Sequence, residues 1–104
     1  MIKTGGENVP SVKVERTLLA NPRIAAAAAV VGLPNERWVE AVTAFVVPAP
    51  GVELTEEDVI AAAKKELGGF EVPKKVVIVK ELPMTSTGKI KKNIIRDDYQ
   101  ELYK

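Results

Sequence analysis

Glycine and proline punctuate this chain so often that no regular element can run far before meeting a stop. Turn-forming groups stand at Gly5-Gly6, Asn21-Pro22, Gly32-Leu33-Pro34-Asn35, Pro48-Ala49-Pro50-Gly51, Gly68-Gly69 and Pro83 to Gly88. The segments between them are short, and 104 residues suffice for one domain with one core. No apolar stretch approaches the roughly 18 uncharged residues that a membrane-spanning helix needs, and the N-terminus lacks the apolar core of a signal peptide. A cytoplasmic, reducing setting is the expectation.

Between the stops the local patterns differ. Residues 11–20 read as a short helix, with Val14 and Leu18 four apart, Val12 and Leu19 seven apart, and Lys13 and Arg16 toward solvent. The alanine run from Ala25 to Ala29 favours a helix by propensity. Its continuation through Val30-Val31 into the Gly32–Asn35 turn signal, followed by the Val- and Phe-rich segment 41–47, favours an antiparallel strand pair. Local reasoning leaves both open. Thr55 starts the clearest helix: a Thr-x-x-Asp capping box with Asp58, acids Glu56 and Glu57 in the first turn, Lys64 and Lys65 near the end, and a Val59, Ala63, Leu67 stripe. Gly68-Gly69 ends it. Residues 76–79 read as a covered strand, Pro83 to Gly88 as a polar loop, and a last helix is expected from about Lys91 toward Leu102 with Ile94 and Ile95 inward. The expected class is α+β, a short mixed sheet carrying helices.

Composition narrows the chemistry. The chain has no Cys and no His, so disulfides, thiolate nucleophiles and imidazole bases or ligands are excluded. Any reaction must use Lys, Arg, carboxylates, hydroxyls or backbone amides. Residues 74–104 carry eight basic and four acidic side chains, whereas the rest carries seven and ten. The tail thus favours an anion nearby, without the stacking aromatics or module that nucleic acid calls for.

Pro83-Met84-Thr85-Ser86-Thr87-Gly88-Lys89 is the most pointed feature. Hydroxyls, backbone donors and an ammonium close together suit a phosphate or carboxylate oxygen. A nucleoside-triphosphate loop is excluded, because Pro83 replaces its first glycine and Ile90 its final hydroxyl. A solvated turn before a basic helix remains the alternative. Lys91, Lys92 and Arg96 admit the same two readings. Gly5-Gly6-Glu7-Asn8 either presents amides to a ligand or simply turns the chain. Trp38 is expected to pack against the domain, and Phe70 and Pro73 to anchor their loop. Glu40 has no evident partner, so a self-contained acid–base hydrolase is not expected.

Taken together, these segments resemble the C-terminal domain of the adenylate-forming acyl- and aryl-CoA synthetases. The resemblance covers essentially the whole chain: Met1-Ile-Lys-Thr-Gly-Gly-Glu-Asn-Val9, Val14-Glu15, Asn21-Pro22, Val30-Val31-Gly32-Leu33-Pro34 with Trp38 and Glu40, Phe70-Glu71-Val72-Pro73, and Leu82-Pro83 with Gly88-Lys89 follow in the family's order. It implies that the alanine run is a strand. It also implies a large N-terminal domain, in keeping with an opening that reads as a cut through a longer protein.

The activity implied is formation of an acyl-adenylate from ATP, with Mg2+, and a carboxylic acid, then of a thioester with coenzyme A. A fatty or other aliphatic acid is expected, with the acyl and nucleotide sites mainly in the large domain and no cofactor held tightly by this one. Lys89 matches the lysine that serves the first step, with Gly88 beside it. Gly5, Gly6, Glu7 and Asn8 match the loop that replaces it in the second and borders the pantetheine channel. An adenylation domain loading a carrier protein's phosphopantetheine is the alternative, and an anion- or nucleic-acid-binding module a third. The chain departs from the family pattern at Pro10-Ser11, where tyrosine and proline are frequent, at Lys13, usually acidic, at Val39, usually glycine, and at Glu71, frequently lysine.

Overall fold

A computed structural model describes residues 2–36, 39–69, 71–100 and 102. The expectations for Trp38 and Phe70 fall outside these residues. The elements are β1 (Ile2–Thr4), β2 (Glu7–Val9), α1 (Ser11–Leu19), β3 (Ile24–Asn35), β4 (Val39–Pro48), α2 (Glu56–Lys64), β5 (Lys75–Ile78) and α3 (Lys92–Tyr99). The alanine run is therefore a strand, and the mixed sheet with three helices is the α+β class expected.

β4 is the centre of the sheet. It pairs antiparallel with β3 from Ile24↔Pro48 to Asn35↔Val39, antiparallel with β1 through Thr4↔Val39, and parallel with β5 from Thr43↔Lys75 to Val46↔Ile78. Alternation along the strands sends side chains to opposite faces. Val30, Val42, Ala44 and Val46 join Val14 and Leu18 of α1 and Val59 and Ala63 of α2 on one face. Ala29, Val31, Leu33 and Phe45 join Ile95 of α3 on the other, where the Phe45 and Tyr99 rings lie 4.8 Å apart.

Gly32-Leu33-Pro34-Asn35 is strand rather than the expected turn. Proline is tolerated because β3 is an edge strand and its N–H positions do not all need a partner. In α1, Val12 and Leu19 are exposed, so the buried stripe is Val14 and Leu18 alone. Ile95 is buried while Ile94 is only half-buried, and α3 ends at Tyr99, before Leu102. α2 matches its capping box: Thr55 Oγ1 accepts from the Asp58 N–H at 3.2 Å.

Carboxylates cap a backbone donor on two of the sheet's edge strands, β3 and β5. Glu15 of α1 accepts from the Val30 N–H at 2.9 Å, and Glu56 of α2 accepts from the Val76 N–H at 2.8 Å. Each removes an unpaired edge donor, which both satisfies the backbone and discourages pairing with another strand.

Candidate functional site

Two hairpins carry the residues singled out by sequence. The first is β1–β2, in register Ile2↔Val9, Lys3↔Asn8 and Thr4↔Glu7. Gly5 and Gly6 make its turn with φ of 56° and 88°, the pattern of a type I′ turn, in which both central residues have positive φ and glycine is favoured. Ile2 and Val9 are buried and root the hairpin in the core, while Gly5, Gly6 and Asn8 are exposed at its outer end. The arrangement presents a backbone edge without bulky side chains at the turn.

The second hairpin was expected as a loop and is better ordered than that. The Lys91 N–H donates to the Pro83 carbonyl at 2.8 Å and the Thr85 N–H to the Lys89 carbonyl at 2.7 Å, with Met84 and Ile90 bridged between them. The turn is closed by Gly88 N–H to the Thr85 carbonyl at 3.0 Å, with Gly88 at φ 85°. The Thr85 hydroxyl accepts from the Lys89 N–H at 3.1 Å and lies 2.9 Å from the Thr87 hydroxyl. Backbone and hydroxyls thus fix where Lys89 leaves the chain, and its side chain projects into solvent. Among the described residues Lys89 has no ion pair, so its ammonium is available to an anion. No hydrogen bond or ion pair among those residues joins the two hairpins.

Of the other basic candidates, Lys92 is occupied: its Nζ lies 2.8 Å from Glu15 Oε2 and 3.5 Å from Ser11 Oγ, tying α3 to α1. Lys91 and Arg96 are exposed. Pro73 is buried, as expected of an anchor.

Glu40, which had no partner in sequence, accepts from the Lys3 N–H at 3.0 Å. It lies 37 residues away along the chain, and no local signal marks the contact. Lys13 binds both carboxylate oxygens of Glu71 at 3.0 and 2.9 Å, and Glu71 also accepts from the Gly68 N–H at 3.1 Å. The Lys13 hydrogen bond, then that of Gly68, holds the Glu71 carboxyl below its ordinary range. The Thr55 hydroxyl, aided by Arg23, does the same for Asp58. Among the described residues no group of three or more Asp or Glu is arranged to hold a metal ion.

The family model described as AMP-binding enzyme C-terminal domain matches residues 13–89. Over 97 residues the chain is 46% identical to a peroxisomal trans-cinnamate:CoA ligase of Petunia hybrida, covering 93% of this chain and 17% of that protein. Over 98 residues it is 47% identical to 4-hydroxybutyrate–CoA ligase 2 of Metallosphaera sedula, covering 94% of this chain and 18% of that protein. Its fold matches ATP-bound MatB from Rhodopseudomonas palustris with a TM-score of 0.95 at 36% identity, over 100% of this chain and 20% of that one. The chain therefore spans about a fifth of the length of the relatives it matches.

Proposed function

Because this chain belongs to the AMP-binding enzyme C-terminal domain family, we propose that it is the small mobile domain of an ATP-dependent acid–CoA ligase and that its two hairpins serve successive half-reactions. The observation that carries this is Lys89, held by its own hairpin's hydrogen bonds with an exposed ammonium and no internal ion pair among the described residues.

In the first half-reaction a carboxylate oxygen attacks the α-phosphorus of ATP, and pyrophosphate leaves. Two anions must approach each other. An ammonium placed between their oxygens lowers that repulsion and stabilises the charge that builds in the transition state. Lys89 supplies it, and Gly88 lets the turn come close. Magnesium neutralises phosphate charge when bound, and its ligands are proposed to lie with the triphosphate site in the large domain.

In the second half-reaction the thiol of coenzyme A gives up its proton, sulfur attacks the acyl carbon, and AMP departs. The Gly5-Gly6 turn, with Glu7 and Asn8, replaces Lys89 at the site and lines the thiol's approach. Exchange of one hairpin for the other requires rotation of the whole domain against the large one. The two relatives named for cinnamate and 4-hydroxybutyrate are almost equally similar to this chain, which supports an acid pocket lying in the large domain. A fatty or other aliphatic acid is the class to test first.

The test is release of pyrophosphate and formation of acyl-CoA by the full-length protein across a panel of carboxylic acids. Acid-dependent pyrophosphate release and a CoA thioester are expected. Transfer only to a carrier protein's phosphopantetheine would replace coenzyme A as the acceptor, and no acid-dependent release at all would overturn the proposal.

A further inference from the structure

Three observations converge on the root of the Gly5-Gly6 hairpin. Among the described residues β1 meets β4 through one register pair, Thr4↔Val39. One residue along β4, Glu40 reaches across and accepts the Lys3 N–H at 3.0 Å, a bond that a further strand residue would otherwise provide. Position 32 leaves that route clear: a Cβ on Gly32 would stand 2.9 Å from Glu40 Oε2 and 2.9 Å from Ile2 Cγ2, so those side chains would have to shift. Gly32 thus clears space for the carboxylate that holds β1 and for the Ile2 side chain that roots it.

We infer that Glu40 is a positioning residue for the second half-reaction: its carboxylate, admitted by Gly32, sets the angle at which the Gly5–Asn8 hairpin leaves the sheet. This rests on the assignment of that hairpin to thioester formation. A carboxylate suits the task because it is an acceptor only, and its charge strengthens a single backbone hydrogen bond. Among the described residues the hairpin has one other backbone pair to β4, Thr4↔Val39, so loss of this bond loosens the angle of its tip while Ile2 and Val9 stay rooted in the core. Small misplacements at a reacting centre are costly in rate. Lys89 sits on a separate hairpin and is not held by Glu40, so the first half-reaction is spared.

The variants are Glu40→Ala, Glu40→Gln, which keeps an acceptor oxygen, and Gly32→Ala, which blocks the route. In the 104-residue chain, amide exchange at Lys3 is expected to quicken at least tenfold in Glu40→Ala and Gly32→Ala, with β3 and β4 amides unchanged and Glu40→Gln near wild type. In the full-length protein, conversion of supplied acyl-adenylate to thioester should fall at least tenfold in kcat for the same two variants, with pyrophosphate release within twofold of wild type and Glu40→Gln largely restored. Thioester formation unchanged in Glu40→Ala, or both half-reactions falling together, would overturn the inference. If wild type makes no adenylate, the ligase reading fails instead, and unaltered Lys3 exchange in Glu40→Ala still decides against the hydrogen bond as the hairpin's anchor.

Discussion

At Val39 the backbone stands at φ 71°, in the left-handed region that a β-branched residue avoids. The family resemblance marks this position as usually glycine, and the conformation explains why: glycine adopts a left-handed φ without a side-chain penalty. Left-handed geometry costs a side-chain-bearing residue about 1–2 kcal/mol, against about 0.5–1 kcal/mol of added chain entropy lost by glycine. Val39→Gly is therefore expected to raise stability by roughly 0.5–1 kcal/mol, read as a higher urea midpoint with unchanged slope. A lower midpoint would show that the exposed valine makes contacts that outweigh its strain. The departures at Lys13 and Glu71 meet in space. The two side chains form an ion pair with each other in this structure. Both Glu71 and Asp58 have folded-state values below their ordinary ones, so the stability they contribute is complete above the unfolded value and disappears as pH falls through the folded one. Thermal stability should hold from neutral pH to about pH 5 and decline below about pH 4. Lys13→Ala should flatten that decline, whereas an equally steep curve would remove the pair from the account.

Among the elements, α3 does most to place Lys89. Its first residue follows the closing bond of the second hairpin, Lys91 N–H to Pro83 carbonyl. Ile95, 2% exposed, pins it beneath Phe45 and Leu33. Ile95→Ala should cost about 2–5 kcal/mol by cavity formation and speed amide exchange in the hairpin before the β3–β4 core. Loss of protection everywhere at once would show that hairpin and core unfold as a unit. The elements also show what a sequence can disclose. α2 was legible because its cap, its charges and its apolar stripe all lie within a few residues of one another. The alanine run was not, since its strand state depends on β4 and on the helices covering both faces. Gly32-Leu33-Pro34-Asn35 carried every local mark of a turn, yet Gly32 is small for the sake of Glu40 and Ile2, and Pro34 is permitted by its edge position. The residues of the second hairpin were recognised, but not the bonds that fix them. Glu15, Glu40 and Glu56 act on partners 15, 37 and 20 positions away, and no periodicity announces such contacts.

For the whole molecule, the radius of gyration is 12.8 Å, close to the roughly 13 Å of a packed chain this long. Two apolar clusters, one on each face of the sheet, are filled from within the chain. It is expected to fold cooperatively by itself, and to consume no ATP in the presence of carboxylic acids, because 104 residues are too few for a nucleotide-binding domain besides this one. Carboxylate-dependent ATP consumption by the chain alone would contradict that. The central claim is that its two hairpins work in turn, and it is tested most directly by Lys89→Ala in the full-length protein, with the half-reactions measured separately. The account predicts loss of acid-dependent pyrophosphate release by at least about a hundredfold, the range seen when one electrostatic donor is removed from a transition state, while supplied acyl-adenylate is still converted to its thioester at near wild-type rate. Adenylate formation as fast as wild type would contradict it and leave Lys89 an ordinary exposed lysine.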